Sequence, residues 1–83
     1  MSETEERAHR ARRLQQDEAF KEFVEAVRRK QVAVFLNVAA PPEDRERAHA
    51  IVRALASIET ELAAAISAVA VEKKRKGQHR EHD

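Results

Sequence analysis

The chain has no cysteine, no tryptophan and no tyrosine, and only one glycine and two prolines among 83 residues. Without cysteine it can form neither a disulfide nor a thiolate metal site. The same absence fits a reducing cytoplasm. A single glycine cannot build a phosphate-cradling loop. Scarce glycine and proline also leave few turns, so the elements must be long. The only aromatics are Phe20, Phe23 and Phe35. An excess of one charge sign is lacking too: 37 % of residues are charged, yet the formal net charge is +1. Bulk charge therefore selects no partner; only its distribution along the chain can.

No apolar signal core interrupts the charged stretch from Met1 to Arg13. The longest weakly polar run, Leu62 to Val71, is too short to span a bilayer. The expectation is a soluble protein, cytoplasmic or virion-associated, without membrane contact. Eighty-three residues make one domain at most. A chain this short buries a modest core and, lacking disulfides, needs a partner subunit or another staple.

What is present is helical. Alanine, glutamate, arginine and valine dominate, a composition of long helices. Residues 1–16 read as a polar helical extension. Ser2 and Glu5 have the capping-box spacing, and Leu14 is the one large apolar residue after Met1. Asp17 has the chemistry of a fresh N-cap. The segment either runs on into the next helix or breaks near Gln16-Asp17. From Asp17 onward Phe20, Phe23, Val24, Val27, Val34, Phe35 and Val38 recur at three- and four-residue steps. Gln31 lies on the same stripe, and reads equally as a register-setting polar contact or as a side chain reaching the edge. Glu25 and Arg29 have i,i+4 spacing.

Proline disfavours helix in the residue before it, so this helix should end by about Ala39, with the turn at 38–42. Pro42 suits the first turn of a second helix, and Glu43 and Asp44 favour its positive end. That helix should run to about Lys74. Ala48, Ile51, Leu55, Ile58, Leu62, Ala65 and Val69 form an a/d seam, widened by Val52 and Ile66. Gly77 reads as a stop signal, and residues 75–83 as a basic, histidine-containing disordered tail. The fold class is thus all-α: residues 17–74 form an antiparallel helical hairpin.

Each stripe is wider than a two-helix contact covers. Burying one such side chain contributes roughly 1.5–3 kcal/mol, so uncovered apolar residues favour association. The expected self-interface is Phe20, Val24, Val27, Gln31, Val34, Phe35, Ile51, Leu55, Ile58, Leu62, Ile66 and Val69, most simply in a homo-oligomeric helical bundle.

Catalytic chemistry is hard to place. Ser2, Thr4, Ser57, Thr60 and Ser67 lack any nucleophile-elbow or glycine-rich context, and small hydroxyls at helical spacing usually just pack. His79 and His82, with Glu81 and Asp83, are chelating groups without the spacing of a closed metal site; the plain reading is a solvated tail. His9 and His49 read as solvent-exposed. The expectation is no enzyme, no cofactor, no metal and no small-molecule substrate.

The basic residues cluster. Arg7, Arg10, Arg12 and Arg13 fall in an acid-free run, as do Lys73, Lys74, Arg75, Lys76 and Arg80. In a hairpin folded at residue 40 with a continuous first helix, Arg7 falls near Lys73, and the clusters form one basic pole. Arg28, Arg29 and Lys30 form a third cluster. The pole reads as a contact for nucleic acid or an acidic protein surface. The plainer reading is a solvated helix end whose lysines complement the helix dipole, with Glu3, Glu5 and Glu6 close enough in sequence to neutralise the first cluster.

The segment Ala11-Arg12-Arg13-Leu14-Gln15-Gln16-Asp17-Glu18-Ala19-Phe20, followed by Pro42-Glu43-Asp44 and Arg53-Ala54-Leu55, resembles small α-helical proteins encoded in head-assembly gene clusters of tailed phages and prophages. The resemblance covers about residues 8–66. It implies a virion or morphogenesis role with a phage or host protein as partner, and carries over no catalytic or binding residue. The resulting expectation is a non-enzymatic structural or interaction protein. The alternative is a small nucleic-acid-binding hairpin using the basic pole.

Overall fold

A computed structural model describes residues 2–81, with side chains as far as Gly77. Among the described residues there are three α-helices and no strand: α1 (Glu3–Gln16), α2 (Glu18–Leu36) and α3 (Pro42–Glu81). The protein is all-α, with three helices where the sequence predicts two long ones and an extension. It divides into two compact units, Asp17–Glu59 on one hand and Met1–Gln16 with Thr60–Asp83 on the other.

In the first unit Asp17 is the N-cap of α2. Its backbone is extended (φ −70°, ψ 118°), and its Oδ1 accepts from the Phe20 N–H at 2.8 Å. That geometry satisfies an orphan donor and starts a new helix, which settles the choice left open at Gln16-Asp17. At the other end α2 stops at Leu36, short of the expected Ala39. Asn37 takes an extended C-cap conformation (φ −78°, ψ 105°), and its side-chain oxygen accepts from the Ala39 N–H at 3.0 Å. This local hydrogen bond competes with the next helical turn and leaves Val38 in the turn, 88 % exposed. The Pro41 carbonyl then accepts from the N–H groups of Asp44 (3.0 Å) and Arg45 (3.2 Å), so α3 begins at Pro42 as expected.

α2 and the start of α3 are antiparallel. Near the turn the rings of Phe35 and His49 lie 5.4 Å apart, tilted by 31°. Arg45 Nε donates to the Phe35 carbonyl at 3.0 Å, and its guanidinium sits 5.8 Å from the Phe35 ring. Further from the turn, Arg28 joins Glu25 on its own helix (2.9 Å) to Glu59 on α3. Glu25 thus pairs with Arg28 rather than with the expected Arg29. One turn of helix places i+3 as near as i+4, and only Arg28 also meets an acid across the hairpin.

In the second unit Ser2 caps α1: its Oγ accepts from the Glu5 N–H at 3.1 Å and lies 3.5 Å from Glu5 Oε1. Thr4 lines a groove with Ala68 and Glu72, whereas Ala11 and Leu14 line one with Leu62 and Ala65. α1 is therefore antiparallel to the α3 segment in this unit. Ala8, Ala11 and Ala65 are buried here and Ala48 in the other unit; among the described residues no large side chain is fully buried. α3 continues through Gly77 to Glu81 instead of stopping there. No glycine adopts positive φ, so Gly77 does not take the left-handed C-cap conformation that ends a helix. His82 and Asp83 of the expected tail lie outside the described residues, as do the side chains of His79, Arg80 and Glu81.

Candidate interaction surfaces

The apolar residues expected in a self-interface divide into two sets. Phe20, Val24, Gln31, Val34, Ile51, Leu55, Leu62, Ile66 and Val69 are half-buried within the single chain. Val27, Phe35 and Ile58 are exposed, and so are Leu14, Val32 and Val71. Phe23 and Leu36 are exposed to 67 % and 68 %. The expected hairpin of residues 17–74 is corrected in part: only the α3 residues up to Glu59 share a unit with α2, while Leu62 and Ala65 line a groove with Ala11 and Leu14 of α1.

By length and composition alone α3 is long and apolar enough, over Pro42–Gly77, to cross a membrane, and almost none of its apolar window is buried. The uninterrupted weakly polar run Leu62 to Val71 is shorter than this span, which extends to both sides of it.

The single basic pole does not assemble as expected. Arg7 Nη2 lies 3.5 Å from Glu61 Oε2, and Arg10 lines the same groove as Glu61 and Leu62. Glu61 and Lys73 are twelve residues apart, about 18 Å along a helix. Arg7 is therefore paired with an acid well away from Lys73. The physical reason is the new helix start at Asp17: α1 does not inherit the register of α2, as a continuous first helix would. Arg12 and Arg13 are exposed towards the end of α1, and Lys73, Lys74 and Arg75 are exposed on α3. Lys76 bonds Glu72 one turn back at 3.3 Å. That lysine hydrogen bond, then one from the Thr4 hydroxyl, holds the Glu72 carboxyl below its ordinary pKa of 4.5. In the third cluster, Arg28 is committed to Glu25 and Glu59.

Among the described residues no group of three or more histidines and acids is placed to hold a metal ion, and no buried side-chain polar atom lacks a partner. The grooves against α1 are open and shallow, lined mainly by alanine, leucine and arginine. The Arg28–Glu59 bridge and the Phe35–His49 contact were missed from sequence. A fold at residue 40 puts position 35 opposite 45, one turn from His49, and position 28 opposite 52, two turns from Glu59, so register counting alone does not select these partners. His9 and His49 are exposed as expected, though His49 also rests on Phe35.

These features define the class as a small all-α protein whose helices meet through small residues and whose larger apolar side chains stay partly uncovered. Compared with known proteins, the chain matches no family model, no curated protein and no solved structure.

Proposed function

We propose that this chain is a non-enzymatic interaction protein that works as a self-associated helical bundle. The observation that carries the reading is the surface it exposes. Within the unit Asp17–Glu59, Phe23 is 67 % exposed, Ile58 46 % and Val27 40 %. Covering one such side chain contributes roughly 1.5–3 kcal/mol, which a second chain would supply. The resemblance to phage head-assembly proteins gives this reading a setting, a virion or morphogenesis complex with a phage or host protein as further partner. The alternative, binding of nucleic acid, draws on Arg12, Arg13, Lys73, Lys74 and Arg75; the pairing of Arg7 and Lys76 with acids weakens it.

Light scattering after size exclusion tests the proposal. The native chain should have the mass of a dimer or larger. Ile58→Asp, at a position already exposed in the single chain, should reduce the mass while the far-ultraviolet circular dichroism stays helical. A native monomer at micromolar concentration would overturn the proposal.

A further inference from the structure

In the unit Asp17–Glu59, one side of the hairpin is closed by side-chain contacts and the other is open. On the closed side Arg28 bridges to Glu59, and Phe35 meets Arg45 and His49. One residue turns a helix by about 100°. Val27 and Ile58 each precede a member of the Arg28–Glu59 bridge, so both project from the open side, and Phe23 lies one turn before Val27. Nine residues on from His49 is Ile58, and nine back from Phe35 is Ala26. Ile58 therefore falls level with Ala26, between Phe23 and Val27, and the three exposed apolar side chains form one patch. Along the outer edge of this patch α2 carries Glu22 and Arg29, of opposite charge and about two turns apart on the same line of the helix. Both are exposed. Among the described residues, neither joins the ion pairs of this unit, which are Lys21–Glu18, Arg28–Glu25 and Arg28–Glu59.

We infer that this open side is the contact between two copies of the chain, with α2 of one copy crossing α2 of the other antiparallel about the Glu25–Ala26 peptide. The inference rests on the self-association proposed above and gives it a place and a direction. Charge selects the occupant. Antiparallel pairing about that point sets Glu22 level with Arg29 of the second copy, and Arg29 level with its Glu22. The two-fold axis thus makes the same opposite-charge pair at both ends of the contact. A parallel pairing in register sets glutamate on glutamate and arginine on arginine, which flanking charges of a helix pair disfavour. Packing agrees. Phe23 falls between Ala26 and Lys30 of the second copy, where the small alanine leaves room for the ring and the lysine stem can lie along it. Ile58, level with Ala26, falls close to the two-fold axis and meets Ile58 of the second copy. The charges of α2 and the apolar side chain of α3 therefore put the axis at the same height. The Arg28–Glu59 bridge stays undisturbed on the far side.

Cysteine cross-linking tests the contact, since the chain has no thiol of its own. Under mild oxidation Ala26→Cys and Ile58→Cys should each give a disulfide-linked homodimer, because residues near a two-fold axis approach their own copies. A mixture of Phe23→Cys and Ile58→Cys that links while Ile58→Cys alone does not would put α2 against α3 of the second copy and overturn the inference. Charge reversal reads the same contact without oxidation. Arg29→Glu should raise the dissociation constant of the dimer about tenfold at low salt, through two lost pairs and two new repulsions. Adding Glu22→Arg to it should restore the native value; a double variant no tighter than Arg29→Glu alone overturns the inference. Both positions are exposed in the single chain, so helicity should hold, and if it falls the cross-links alone decide. Light scattering on the same samples separates the two proposals. An oligomer with no link in Ala26→Cys or Ile58→Cys overturns this contact and leaves self-association standing, whereas a monomer throughout overturns both.

Discussion

Individual side chains set the ends of these helices. Asp17 is one residue between α1 and α2, and its carboxylate bond to the Phe20 N–H turns a polar stretch into a helix boundary. Asp17→Ala should destabilise by about 1 kcal/mol, the usual worth of such a cap, while Asp17→Asn or Asp17→Ser should cost much less. Chemical denaturation of the three variants checks this, and equal losses would mean that the cap is incidental. Glu72 offers a test in pH. Its carboxyl is held below 4.5 in the folded chain, mainly by Lys76 and then by Thr4. A carboxyl with a lowered folded pKa adds stability above its unfolded pKa and loses it as pH falls through the folded value. Below about pH 4.5, Glu72→Gln should therefore show a shallower acid loss of melting temperature than the native chain. Parallel acid limbs would show that the group contributes nothing.

At the level of elements, much was legible in the residues. Phe20, Val24 and Val34 at helical spacing mark α2, and Ile51, Leu55 and Leu62 mark α3. Pro42 with Glu43 and Asp44 marks where α3 begins, and Ser2 with Glu5 marks where α1 begins. Periodicity works because it reports the face a helix must bury. The register of α1 on α3 was not legible: it depends on Asp17 breaking the chain, through a local side-chain bond that competes with a continuous helix. The C-terminus was misread because glycine stops a helix only when it adopts positive φ, which Gly77 does not. Nothing lies within 4 Å of a Cβ built there. Gly77→Ala should accordingly raise helicity, with a gain of up to about 1 kcal/mol in the local helix–coil equilibrium. Circular dichroism checks the direction, and a fall in helicity would mark Gly77 as a true terminus.

For the whole molecule, the energetic question is how little one chain buries. Self-association couples folding to concentration, because anything that binds only the folded form stabilises it by mass action. The melting temperature should rise over a hundredfold increase in protein concentration, and more steeply for the native chain than for Ile58→Asp. A concentration-independent melt of the native chain would mean that the fold stands alone. The candidate surfaces were only partly legible at this scale. Residues such as Leu55 and Ile58 share one stripe in the sequence, and which of them the chain covers for itself depends on how wide each helix contact proves to be.

That the buried residues among those described are four alanines, Ala8, Ala11, Ala48 and Ala65, has a consequence for motion. Segments held by few buried apolar contacts open locally at low free energy. Alanine also loses no side-chain rotamers on burial, so little entropy is regained when a segment opens and little is lost when it closes. Backbone amides of a dilute chain would then trade their hydrogens for deuterium quickly along all three helices. Once a second chain covers the outer faces, the same amides would be slowed together, and the protein would pass from loose to rigid with no change in its secondary structure.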